Sequence, residues 1–227
     1  MVQVCHTNQQ VLNWEFNFFA FAQSAIDGDA TRYLDHTAEA VPALPTLLPH
    51  DTESALEAWS TVVREKGPIV FDKSPYLTRP QSHPLLEALA ESNHDVRFIG
   101  LVRDPRDVIA SQHEHWDEHD DTASITRREI ALVEGYRWLK RFSARTPVCL
   151  IRYEDLAAAP CLYANNLFRF AGLDPLAETW QHLSPINIGR HRSPKSQALR
   201  EWQPSEELTS LLVDFGYEPG EERPFVS

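Results

Sequence analysis

Three cysteines in 227 residues, Cys5, Cys149 and Cys161, are too few and too odd in number for a disulfide framework, and they show no zinc-type spacing. Their scarcity argues against a disulfide-stapled scaffold and for a reducing compartment. Also lacking are a basic segment leading into an apolar one, as in a secretory leader, and any uninterrupted apolar run long enough to span a bilayer. The expectation is a soluble, cytoplasmic protein with no membrane partner. Basic residues are outnumbered, 21 Lys and Arg against 33 Asp and Glu, which leaves a net charge of −12. A field of that sign repels nucleic acid, heparin-like polyanions and anionic membranes, so any anion site has to be local. No internal repeat and no second domain appears.

What is present suffices for one substantial core. With 42% hydrophobic and 24% charged residues, the chain reads as a single globular domain over 1–227. Its most informative stretch is Val96 to Ser111. Val96 to Val102 is a short apolar, partly β-branched run of the kind that makes a buried strand, and Asp104-Pro105 ends it. Asp104 suits the N-cap of a following helix, Pro105 its first position, and Asp107 the positive end of its dipole. In open α/β sheets ligands collect at the carboxyl ends of strands, where helix N-termini point their amides. Arg103 sits at that edge. Ser111, about two turns along, lies on the helix face that also carries Asp104 and Asp107. A guanidinium and a hydroxyl converging there would clamp a phosphate or sulfate. The alternative left open by spacing is an Arg103 paired with a carboxylate such as Asp107 and a Ser111 facing solvent.

Leu101-Val102-Arg103-Asp104-Pro105-Arg106-Asp107-Val108 through Ser111 resembles the 3′-phosphate-binding segment of the sulfotransferases that use 3′-phosphoadenosine 5′-phosphosulfate. In that family an arginine at the strand end and a serine eight residues later hold the 3′-phosphate, which implies that role for Arg103 and Ser111.

Other segments agree in order. Val11 to Phe21 is dense in aromatics around Glu15, and burial among rings would raise the carboxyl pKa toward that of a proton acceptor near neutral pH. An amphipathic segment with Glu15 in water is the blander reading. Glu15-x-x-Phe18-Phe19 is similar to the segment that carries the catalytic glutamate in heparan-type N-sulfotransferases and related bacterial enzymes. Ile69 to Phe71 reads as a strand, and Lys73 leaves its end within Asp72-Lys73-Ser74-Pro75. There a lysine can neutralise charge on a transferring group, although a solvated lysine is the commoner fate. The resemblance implies that Lys73 reaches the active site. Val148 to Ile151 reads as a further strand, ended by Arg152-Tyr153-Glu154-Asp155-Leu156. This is similar to a family strand end whose tyrosine lies near the adenine, which implies that role for Tyr153.

The concentrated basic patch Gly189-Arg190-His191-Arg192-Ser193-Pro194-Lys195-Ser196 is either a surface loop or, by the resemblance, a loop closing over the 3′-phosphate through Arg190, Arg192 or Lys195. His113-Glu114-His115, with the acidic residues after it, lacks a second cluster at a defined distance and reads as a solvated helix end and loop rather than a metal site. No metal is expected.

Between these motifs, Leu56, Trp59, Val62 and Val63 repeat at helical spacing before Gly67. Leu85, Leu86 and Leu89 mark a crossover helix into the Val96 strand, Ile125 to Phe142 a long amphipathic helix, and Glu206 to Phe215 a C-terminal packing helix ended by Gly216. Strands alternating with helices imply a parallel sheet with right-handed crossovers. The expected fold is α/β, a central parallel sheet flanked by helices, of the P-loop-hydrolase-like sulfotransferase type. The family's Pro-x-x-Gly-Thr-Thr loop, which cradles the 5′-phosphosulfate, is not found in the sequence, so the expected fold is N-terminally incomplete.

The resemblance implies transfer of a sulfuryl group from 3′-phosphoadenosine 5′-phosphosulfate to a hydroxyl or amine of a small-molecule or glycan acceptor. Glu15 takes the acceptor proton, Lys73 stabilises charge, Arg103 and Ser111 hold the 3′-phosphate and Tyr153 flanks the adenine. A non-catalytic binding protein on the same scaffold is the competing class, favoured by the missing loop. A kinase-type enzyme ranks last, having no evident magnesium motif.

Overall fold

A computed structural model describes residues 12–16, 18–29, 48–66, 70–72, 80–92, 94–116, 121–174 and 196–218. Strand β1 (Leu12–Phe16) pairs in parallel with β2 (Val70–Asp72), Leu12 opposite Val70 and Phe16 opposite Asp72, with an irregularity between. Strand β3 (Phe98–Val102) pairs in parallel with β4 (Val148–Arg152) in unbroken register, from Phe98 opposite Val148 to Val102 opposite Arg152. Among the described residues the two pairs form separate two-stranded ladders, so the crossover from β2 to β3 joins different ladders rather than neighbouring strands.

The aromatic run near the start divides between Phe16 and Phe18. Leu12 to Phe16 is strand, and helix α1 (Phe18–Ile26) begins immediately after it. The helix can start so abruptly because Asp72, at the end of β2, accepts the Phe18 amide at 2.7 Å and satisfies one of the donors that a first turn leaves open. Phe18, Phe19 and Phe21 are then fully buried. Trp59 of helix α2 (Thr52–Lys66) lies 5.2 Å from the Phe18 ring and 5.0 Å from that of Phe19. Burying a ring of this size stabilises the fold by roughly 2 kcal/mol, so this cluster fixes α1 against α2. Ala55, Trp59 and Val62 are the buried stripe of α2, at the three-and-four spacing of a packing helix.

Helix α3 (His83–Glu91) buries Leu85, Leu86 and Leu89, and its His83 ring stacks on Trp138 at 4.0 Å. Helix α4 (Pro105–Trp116) follows β3 directly. Helix α5 (Thr122–Ser143) is capped by Asp121, which accepts the Ser124 amide at 2.6 Å, and buries Ile125, Leu132, Val133, Tyr136 and Leu139 along one side. After β4 come the short α6 (Tyr153–Ala158), α7 (Pro160–Phe170), α8 (Gln197–Glu201) and α9 (Glu206–Asp214). Helix α9 stops at Gly216, whose φ of 73° is a left-handed conformation that side-chain-bearing residues adopt at a cost.

Candidate active site

The site is built where β3 runs into α4. Asp104 caps the helix, its Oδ1 accepting the Arg106 amide at 2.9 Å. The Arg106 side chain folds back on the same carboxylate, Nε to Oδ1 at 3.0 Å and one terminal nitrogen to Oδ2 at 2.7 Å. That bidentate bond holds the Arg106 guanidinium pKa above its ordinary value and commits the residue to the cap. Arg103 is placed differently. Its side chain is 19% exposed, and its guanidinium approaches the buried Asp107 carboxylate at 3.4 Å, longer than the 2.7–2.9 Å typical of a strong charge-assisted bond. The guanidinium carbon also lies 5.3 Å from the centre of the Tyr153 ring, which opens α6 beyond the end of β4. The parallel register of β3 with β4 is what brings Arg103 and Tyr153 to one edge.

Three residues that the motifs did not single out hold this edge. The Tyr136 hydroxyl, reaching from α5, accepts the Arg103 N–H at 3.1 Å and donates to the Arg103 carbonyl. Glu154 accepts the Asp104 amide at 2.9 Å through Oε1 and the Tyr217 hydroxyl at 2.8 Å through Oε2. Burial is the main force that pushes both phenols above their ordinary pKa, with the Glu154 carboxylate adding to it, so both stay protonated and keep donating. Tyr217 in turn packs under the Arg152 guanidinium at 4.4 Å, and Arg152 donates to the Gly216 carbonyl at 2.8 Å. Glu154 was within reach of sequence reasoning, one position after Tyr153. No local signal marks Tyr136 or Tyr217, which arrive from 33 positions after Arg103 and 63 after Glu154.

Of the other candidate residues, Ser111 is half-buried on α4, one turn beyond Asp107 on the same face. Glu15 lies in β1, one position before the Phe16 that pairs with Asp72, so the parallel register puts it at the carboxyl end of its pair. Lys73 follows Asp72 and lies outside the described residues, as do Arg190, Arg192 and Lys195. His113 corrects the reading of its segment as a solvated helix end. It is 3% exposed, and its Nε2 is 3.1 Å from the hydroxyl of Ser196, the residue that caps α8.

The family profile for the sulfotransferase domain matches residues 27–201. Human carbohydrate sulfotransferase 3 is 34% identical over 118 residues, covering 42% of this chain and 25% of that protein. Mouse carbohydrate sulfotransferase 4 is 26% identical over 143 residues, covering 52% of this chain and 36% of that protein. The matches thus span about a quarter to a third of the length of these relatives. Two solved structures share the fold over 96% of this chain. The sulfotransferase domain from the Curacin biosynthetic pathway has a TM-score of 0.66 at 16% identity, with 93% of that chain covered. The sulfotransferase domain from the Synechococcus PCC 7002 olefin synthase has a TM-score of 0.67 at 17% identity, with 90% covered. They show the fold as α/β, helices flanking a parallel sheet. The expectation of a cytoplasmic location is corrected by the curated relatives, which are Golgi membrane-anchored proteins of type II topology. The cytoplasmic expectation rests on the cysteine count and on the lack of a leader-like or bilayer-length apolar run in the sequence, and none of these fixes an address. Among the described residues, no helix is long and apolar enough to cross a membrane.

Proposed function

Because the chain belongs to the sulfotransferase domain family, we propose that it transfers a sulfuryl group from 3′-phosphoadenosine 5′-phosphosulfate to a carbohydrate hydroxyl, residues 1–227 acting as one domain. The observation that carries this reading is the meeting of Arg103 and Tyr153 at the carboxyl edge of the β3–β4 ladder. The donor set suits a nucleotide 3′-phosphate: a partly exposed guanidinium, the Ser111 hydroxyl on the adjoining helix face, and an aromatic ring beside them for the adenine. The 42% of the chain that aligns with human carbohydrate sulfotransferase 3 supports a glycan acceptor.

In this reading Glu15 accepts the proton of the acceptor hydroxyl as its oxygen bonds to sulfur. The bond from sulfur to the 5′-phosphate oxygen breaks, and adenosine 3′,5′-bisphosphate leaves with the electron pair. Lys73 stabilises the charge that gathers on the departing phosphate. One of Arg190, Arg192 and Lys195 completes the hold on the 3′-phosphate. The family's co-substrate supplies the activated sulfuryl group; the chain supplies orientation, a base and positive charge.

A second reading, a binding protein without turnover, is favoured by the Arg103–Asp107 contact, which already engages the guanidinium. Calorimetric titration with adenosine 3′,5′-bisphosphate, followed by transfer of labelled sulfate to a panel of glycans, separates the two. Arg103→Ala is expected to abolish nucleotide binding, and Glu15→Ala to spare binding while removing turnover. Binding that survives Arg103→Ala would overturn the site assignment, and wild-type binding with no transfer would favour the second reading.

A further inference from the structure

The last paired residues of the β3–β4 ladder are Val102 and Arg152, so the peptide groups of Arg103 lie just beyond it. Both converge on one side chain: the Tyr136 hydroxyl accepts from the N–H and donates to the C=O of the same residue. A hydroxyl has both a proton and lone pairs, so one atom does here what the peptide of a further strand would otherwise do. The following amide, that of Asp104, is taken by Glu154, whose second oxygen is occupied by Tyr217. The backbone on either side of the Arg103 carbonyl is thus fixed by side chains brought in from α5, from the start of α6 and from the residue after Gly216.

We infer that Tyr136 is a positioning residue for the Arg103 guanidinium, with the Glu154–Tyr217 pair supporting the same strand end. The inference rests on the reading of Arg103 as a 3′-phosphate ligand. An arginine recognises phosphate through a rigid fork, and its selectivity depends on where the fork starts. The Arg103 Cα is the origin of that fork, and Tyr136 holds it from both sides. The ring of Tyr136 packs edge-on against Phe215 with centroids 4.9 Å apart, a contact that phenylalanine at 136 retains. Tyr136→Phe therefore removes the two bonds to Arg103 and little else.

The test measures the affinity of the full chain for adenosine 3′,5′-bisphosphate and for adenosine 5′-monophosphate, which lacks the 3′-phosphate. Tyr136→Phe is expected to weaken the bisphosphate by about tenfold, the effect of losing roughly one hydrogen bond's worth of positioning, and to leave the monophosphate unchanged. A merely structural role would weaken both ligands equally. Arg103→Ala is the reference: if it leaves the ratio of the two affinities intact, the phosphate-ligand reading itself fails. If it collapses the ratio while folded Tyr136→Phe preserves it, the positioning inference alone is overturned. Should Tyr136→Phe not fold, Tyr217→Phe releases the Glu154 carboxylate from the other side. A fall in the ratio there supports the dependence of the Arg103 fork on its fixed strand end, and an intact ratio overturns the supporting role of the Glu154–Tyr217 pair.

Discussion

Glu129, buried on α5, accepts the indole Nε1–H of Trp202 at 2.8 Å. Its other oxygen accepts the Ser205 amide at 2.7 Å, so one carboxylate fastens the connection between α8 and α9 to the helix that carries Tyr136. Glu129→Leu strips both donors of their acceptor at once, and a buried donor left unmade costs about 1–3 kcal/mol. The variant is expected to lose about 2–4 kcal/mol in urea unfolding followed by tryptophan fluorescence, and Glu129→Gln, which keeps one oxygen, distinctly less. Equal midpoints for wild type and the leucine variant would show that the carboxylate contributes nothing.

Asp104 is asked to cap a helix and to hold a guanidinium with the same two oxygens. Asp104→Ala loses the cap, worth about 1 kcal/mol, and strands the partly buried Arg106, for a combined cost of about 2–3 kcal/mol. Asp104→Asn keeps an acceptor for the Arg106 amide and is expected to fall between. A differential calorimetric scan of the three proteins orders them, and an asparagine variant no better than alanine would locate the whole effect in the charge.

The start of α2 has an acid-sensitive cap. Asp51 accepts the Ser54 amide at 2.8 Å and the Ser54 hydroxyl at 2.7 Å, and these bonds hold its carboxyl below the ordinary value of 3.8. A carboxyl depressed in the folded state adds stability that is fully present above the unfolded value and is lost as pH falls through the folded one. The melting-temperature gap between wild type and Asp51→Ala is therefore expected at pH 6 and should narrow below about pH 4. A gap that stays constant down to pH 3 would mean that the cap does not depend on the charge.

Much of this architecture is legible from local chemistry. The Leu56, Trp59, Val62 and Val63 spacing marks α2, Asp104 and Pro105 announce α4, and Gly172 and Gly216 stand at positive φ just past the helices they end. The Val148 strand and its Arg152-Tyr153 end are read the same way. What local chemistry hides is of two kinds. Aromatic residues suit strands and helices alike, so the run around Glu15 gives no warning that strand gives way to helix between Phe16 and Phe18, where Asp72 from a distant strand takes the first helical amide. Polar residues in sequence read as solvated, so the burial of His113 against Ser196 is invisible until α4 and α8 are in place. Arg103 is legible only in part. Its position at a strand end follows from the motif, but the tyrosine that grips its peptide and the Glu154 carboxylate that takes the next amide come from far along the chain.

The unbroken β3–β4 ladder has a kinetic meaning. It joins residues fifty positions apart, as do the Asp104 amide and the Glu154 carboxylate just beyond its end. Parallel strands cannot nucleate from a tight turn, so the first ladder bond carries the entropy of closing the whole crossover between them. Helical segments with local contacts assemble early and such pairings late. The arginine edge, which needs β3, β4, α5 and the residue after Gly216 together, is thus among the last parts of the molecule to acquire its shape on refolding. Return of tertiary order at Arg103 should lag behind return of helix.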